Sequence, residues 1–182
     1  MANVTFYTIG HGNRSGEEFV QLLQTAGIEC LVDVRAYPAS RRHPQFAQEA
    51  LKSALAEAGI DYVWEGKALG GRRKPRQNSP HIALRNESFR AYADHMGTPE
   101  FVTALDQLIE RGSSEHVAIM CAERLPWQCH RYLIADSLVA RGAEVRHLID
   151  QQPPTAHVLN PVARGERGSV IYDITAQMNL SF

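Results

Sequence analysis

At 182 residues, with 44% apolar and 21% charged residues, the chain has the length and composition of one globular domain. That composition excludes a disordered, collagen-like or coiled-coil protein, and no run approaches the ~18 apolar residues of a membrane span. Net charge is −1 but unevenly spread: residues 35–90 hold 11 Lys/Arg against 5 Asp/Glu, and the remainder holds 8 against 15.

In chain order, Val4–Ile9 (VTFYTI) is β-branched and aromatic and ends at Gly10, which predicts a strand. Ser15 followed by Glu18 is a capping-box pattern. Phe19, Leu22, Leu23 and Ala26 continue at helical spacing until Gly27. Leu31–Val34 reads as a short buried strand, and Arg35–Gln45 as an irregular loop with Pro38 and Pro44. A helix over Ala47–Ala58 and a strand over Ile60–Trp64 follow. Glu65–Glu87 reads as a long loop carrying Gly70-Gly71 and the basic run Arg72-Arg73-Lys74. Loops of that length inside a compact domain are usually functional or disordered. Helices over Ser88–His95 and Pro99–Arg111 lead to a strand over His116–Met120. Pro126 suits the first turn of a helix running to about Arg141, and Glu144–Ile149 is a fifth strand. After Pro153-Pro154, Ser169–Thr175 reads as a strand or a loose extension.

Strands alternating with helices predict an α/β fold: a three-layer open sheet, mostly parallel, of about five strands with helices on both faces. A barrel also fits the alternation, but five strands favour the open sheet. Residues 1–150 are expected to form a single α/β domain, with 151–182 a C-terminal extension packed on it. Three cysteines cannot all pair, and the N-terminus shows no basic segment followed by a long apolar stretch. A reducing, cytoplasmic setting is therefore expected, with no membrane association.

In such folds the chemistry gathers beyond the carboxyl ends of the strands. Those positions hold Gly10-His11-Gly12-Asn13-Arg14, then Asp33 with Arg35, then Cys121-Ala122-Glu123-Arg124. In these segments the sequence resembles the uncharacterised bacterial family catalogued as domain of unknown function 488. The resemblance rests on Thr8-Ile9-Gly10-His11, Leu31-Val32-Asp33-Val34-Arg35 with Pro38 and Ser40-Arg41, and Leu69-Gly70-Gly71. It continues through Phe89-Arg90-Ala91-Tyr92-Ala93 and Met120-Cys121-Ala122-Glu123 to Pro126 and Cys129-His130-Arg131. One departure is Gly12, where the family pattern has Ser, so a serine-based role there is not open to this chain. The resemblance implies an α/β domain with polar motifs on its loops and supplies no reaction.

The chemistry is therefore read from the residues. His11, flanked by glycines, is the best acid–base candidate because imidazole titrates near neutral pH; it could equally cap the following helix. Glu123 is the matching carboxylate, or a solvated loop residue. Cys121, after a buried strand and before a helix, could be a nucleophilic thiolate or a small core residue. Asp33 could orient Arg35 or His11, act as a base, or form a structural ion pair. Arg35, Ser40, Arg41, Arg72, Arg73, Tyr92, His130 and Arg131 are candidate ligand-binding residues, the arginines because a guanidinium fork suits phosphate. Tyr92, with Met96, would serve a core or a dimer interface as well, and the oligomeric state stays open.

No metal ligand is assigned, and the cofactor is unknown. Cys121, Cys129 and His130 offer zinc-type donors, but the C-x7-C-H spacing matches no short zinc motif. With a helix from Pro126, Cys129 and His130 would diverge by about 100° and not share an ion. The expected function is an enzyme acting on a phosphorylated small molecule, nucleotide or nucleic-acid end, as a hydrolase or transferase. The alternatives are a non-catalytic nucleotide or nucleic-acid binding module, and a Cys/His metal or redox sensor. A net charge of −1 argues against strong nonspecific duplex binding.

Overall fold

The structure, a computed structural model, describes residues 4–174. Five parallel strands form the sheet: β1 (Thr5–Gly10), β2 (Cys30–Asp33), β3 (Asp61–Trp64), β4 (Val117–Cys121) and β5 (Glu144–Leu148). A short sixth strand, β6 (Thr155–Ala156), pairs antiparallel with β5, and the order across the sheet is β3-β2-β4-β1-β5-β6. The helices are α1 (Gly16–Thr25), α2 (Gln48–Glu57), α3 (Gly66–Leu69), α4 (Glu87–Met96), α5 (Pro99–Gly112) and α6 (Arg131–Ala140). The expected three-layer open sheet is what forms. A hairpin of β7 (Ala163–Glu166) and β8 (Ser169–Tyr172) follows. Of the expected Ser169–Thr175 strand, Thr175 lies outside the described residues, as does the end of the 151–182 extension.

Local signals explain the element ends. Ser15 accepts the Glu18 backbone N–H at 3.1 Å and starts α1. Gly27 and Gly59, both at positive φ, let the chain turn from α1 and α2 into the next strands. Asn86 and Thr98 cap α4 and α5 in the same way as Ser15. Such caps are worth about 1 kcal/mol each.

Alternation along the buried strands divides the core in two. On β4, Val117, Ile119 and Cys121 pack with Tyr92, Phe101, Leu105 and Leu133 of α4, α5 and α6. Ala118 and Met120 point the other way, to Phe19 and Leu23 of α1 and Leu51 and Leu55 of α2. Each fully buried Val, Leu, Ile, Phe or Met side chain among them is worth about 1.5–3 kcal/mol. This parity decides the site: Cys121 must face the α6 side of the sheet.

Two local expectations are corrected. The long loop contains the short helix α3. The helix expected from Pro126 is interrupted: Pro126–Gln128 make a 3-10 turn, Cys129 is extended at φ −136° and ψ 146°, and α6 begins only at Arg131.

Candidate functional site

A cleft of about 480 Å³ opens at the carboxyl edge of the sheet. Its lining includes His11 from the end of β1, Arg35 after β2, and Cys121 and Glu123 from the end of β4. Cys129 and His130 before α6 also line it, as do Ser40, His43 and Arg72 from the two predicted loops.

Backbone pairing sets the first wall. His11 N–H donates to the Cys121 carbonyl at 3.0 Å, and Gly12 N–H to the Ala122 carbonyl at 2.8 Å. The two loops can run this close because residue 10 is glycine: a Cβ there would lie 1.7 Å from the Glu123 carbonyl oxygen. His11 stacks on Phe46, with ring centroids 4.5 Å apart, and its Nδ1 lies 2.8 Å from the Gly12 carbonyl. Nε2 is left as the ring's free nitrogen. Burial, helped by the charges of Arg35 and His43, lowers the His11 pKa and favours the neutral ring.

Asp33 and Arg35 are paired, with a third partner. Asp33 is fully buried and does not line the cleft. It accepts from Arg35 Nε at 2.9 Å, Arg35 Nη2 at 2.7 Å, the Arg35 backbone N–H at 3.0 Å and the Tyr62 hydroxyl at 2.7 Å. Arg35 Nη1 donates to the Phe46 carbonyl at 2.8 Å. Burial alone would lower the Arg35 pKa; bonding to Asp33 outweighs that and raises it. The Asp33 carboxylate is thus enclosed and engaged on both oxygens, and Arg35 forms cleft wall with its guanidinium already paired.

The thiol pair forms the cleft floor. The Nδ1 of His130 lies 3.9 Å from Cys121 Sγ and 3.7 Å from Cys129 Sγ. The three donor atoms all lie within 4.8 Å of one another. His130 Nε2 is 3.2 Å from the Val34 carbonyl, which can only accept, so Nε2 carries a proton and Nδ1 is the ring atom facing the sulfurs: protonated it donates to a thiolate, unprotonated it offers its lone pair. The Arg131 backbone N–H donates to Cys129 Sγ at 3.5 Å. Burial alone would raise the Cys129 pKa, but the contacts to Cys121, His130 and Arg131 bring it well below the usual thiol range. Cys121, which shares its proton with Cys129 and is buried, is pushed well above it. The expectation that Cys129 and His130 must diverge is therefore corrected, because the two residues precede α6 instead of lying on it.

Four other expected ligand-binding residues stand elsewhere. Arg131 is buried and donates to the backbone carbonyls of Glu123, at 2.5 Å, and Arg124, at 3.0 Å; it fixes the loop after β4 from beneath. Tyr92 is a core residue whose hydroxyl donates to the Leu69 carbonyl at 2.7 Å and whose ring meets His130 edge-on at 4.8 Å. Arg73 turns back to the Gly70 and Lys67 carbonyls and so shapes its own loop. Arg41 is exposed and does not line the cleft. Arg72 remains at the mouth, 5.2 Å over the exposed Tyr37 ring. Ser40 is half-buried in the wall, and its hydroxyl accepts from the His43 N–H at 2.9 Å.

Residues 15–138 match a family described as Domain of unknown function DUF488. Comparison with curated proteins and with solved structures finds no match. The matched span takes in the loops after β2 and β4 and the Cys129-His130-Arg131 segment, and it covers more than half of the sequence. The chain belongs to the DUF488 family.

Proposed function

We propose that this protein is an enzyme acting on a phosphate-bearing small molecule, nucleotide or nucleic-acid end in the carboxyl-edge cleft. The observation that carries the reading is convergence: His11 after β1 and the β4–α6 segment bearing Cys121, Glu123, Cys129 and His130 meet in one cleft, with Arg35 from the end of β2 in its wall. Arg72 lines it with no carboxylate partner among the described residues, the imidazoles of His11, His43 and His130 add ring nitrogens able to hydrogen-bond, and Arg35 is already paired. That arrangement suits an anionic ligand.

In this reading Arg72 meets the phosphate at the mouth. His11, whose Nδ1 is held by the Gly12 carbonyl, takes or gives the proton through Nε2. Glu123 serves as the second proton-transfer group, and the Asp33–Arg35 pair keeps the wall rigid. Three unpaired thiols are in keeping with a reducing, cytoplasmic compartment.

The test is turnover of a panel of phosphomonoesters, nucleoside phosphates and short oligonucleotides. His11→Asn and Glu123→Gln should each lower kcat by about 10²–10⁴, the usual worth of one acid–base group, with Tm unchanged. Binding of a panel member without turnover, insensitive to both substitutions, would replace the enzyme with a binding module.

A further inference from the structure

We infer that Cys121, Cys129 and His130 form a binding site for one divalent ion of the zinc class, with a fourth coordination position open to the cleft. Two thiolates and an imidazole are the donors such an ion prefers. With metal–sulfur bonds of about 2.3 Å and metal–nitrogen bonds of about 2.0–2.1 Å, a tetrahedral ion holds sulfur and nitrogen about 3.6 Å apart. The observed sulfur-to-Nδ1 separations are 3.9 and 3.7 Å. The two sulfurs lie within 4.8 Å of each other, against about 3.8 Å for two tetrahedral thiolates, so an inward movement of the cysteine side chains of at most about 1 Å brings the three donors onto one ion.

The outer shell is also in place. His130 donates its Nε2–H to the Val34 carbonyl, the kind of bond that fixes the tautomer and orientation of a metal-binding imidazole. Gly71 packs over the same ring; a Cβ on it would lie 2.5 Å from Nδ1, so glycine lets this loop cover the site. The Arg131 N–H on Cys129 Sγ supplies a hydrogen bond to one thiolate.

Three protein ligands plus one open position is the pattern of reactive rather than structural zinc sites. The open side faces the cleft that His11 and Glu123 line. Charge favours an anion there. Two thiolates and a divalent ion sum to zero, while Arg131 is a buried cation whose partners among the described residues are backbone carbonyls, with its Nε unpaired. A hydroxide or phosphate oxygen in the fourth position balances it. The inference stands apart from the proposed turnover, since an ion can bind where no phosphate ester reacts.

The experiment is titration of the reduced wild-type chain with Co²⁺ alone, followed by electronic absorption. One equivalent should produce a sulfur-to-cobalt charge-transfer band and strong tetrahedral d–d bands, both displaced by Zn²⁺. Inorganic phosphate should then shift the d–d bands by entering the open position; bands unmoved by phosphate contradict that opening. Cys121→Ser, Cys129→Ser and His130→Gln should each weaken binding by about 100-fold or more, since loss of even an outer partner costs about 10- to 100-fold. Cys30→Ser should change nothing, because Cys30 lies at the start of β2 against Arg111. Absence of the charge-transfer band in the folded wild type overturns the site, whether or not the variants fold. So does a Cys121–Cys129 disulfide that forms equally fast with and without metal. Cobalt binding without turnover would remove the enzyme reading and leave the ion site; turnover without a cobalt signal would do the reverse.

Discussion

Asp33 and Tyr62 show what a single residue reveals by itself and what it hides. Residues two apart on a strand share a face, so the Asp33–Arg35 pairing was legible from spacing. The Tyr62 hydroxyl on the same carboxylate was not, because it depends on the β2–β3 register. The pair is buried, with Asp33 fully enclosed. Removing its negative charge strands a buried guanidinium, which costs about 3–5 kcal/mol. Asp33→Asn should therefore lose that much stability in urea unfolding, while Tyr62→Phe should lose only about 1 kcal/mol. Equal small losses would show that the pair is not a structural anchor. Cys129 is the residue sequence reasoning undervalued. Its signal was its place beside His130 in the family-like segment, obscured by assuming that the helix began at Pro126.

At the scale of elements, the strands and long helices were legible because their burial follows simple periods, with caps such as Ser15 marking the ends. The 3-10 turn at Pro126–Gln128 was not, since Pro suits the first turn of either helix type and only packing at the cleft decides between them. The tail was illegible for another reason: what docks it is a polar network assembled from distant segments. Thr8 Oγ1 is 2.7 Å from His147 Nδ1, His147 Nε2 is 3.0 Å from His157 Nδ1, and His157 Nε2 is 2.8 Å from Asp136. The Tyr172 hydroxyl donates to the other Asp136 oxygen at 2.8 Å, tying β8 to α6. Tyr132 stacks on His147, and the Arg131 charge lies nearby.

Burial, with the neighbouring His157 and Arg131, lowers the His147 pKa from 6.5 to about 3. Between those values the unfolded chain binds a proton that the folded chain refuses. The stability from neutral His147 is therefore present above pH 6.5 and is lost as pH falls toward 3, by at most about 1.4 kcal/mol per pH unit. His11, His81 and His95 shift in the same direction and steepen the fall. Urea unfolding at pH 7 and pH 5 should show this loss, and His147→Gln should show a shallower one. Stability that rises on acidification would contradict the neutral network.

At the scale of the whole molecule, topology explains why the cleft lies where it does. The chain leaves β1 and β2 for helices on one face of the sheet, and leaves β4, which lies between them, for α6 on the other. Neighbouring loops departing to opposite faces open a crevice at the carboxyl edge. His11, Arg35 and Cys121 are the residues carried to it, which is why strand ends alone selected most of the site. What strand ends could not select was the direction of each guanidinium: Arg131 and Arg73 are spent on backbone carbonyls, and Arg72 is left at the mouth. Arg72→Ala should accordingly weaken phosphate binding about tenfold or more, whereas Arg73→Ala should act mainly through loop order and proteolytic sensitivity. Among the described residues no helix is long and apolar enough to cross a membrane.

The most direct measurement is a histidine-ring NMR titration with inorganic phosphate and then nucleoside monophosphates. The eight histidines sample the whole molecule, and only His11, His43 and His130 line the cleft. Saturable shifts confined to those three rings, needing about tenfold or more higher phosphate in Arg72→Ala, are the predicted result. Shifts spread evenly over the histidines outside the cleft, or no shift at the cleft histidines, would contradict an anion-binding active site at the carboxyl edge.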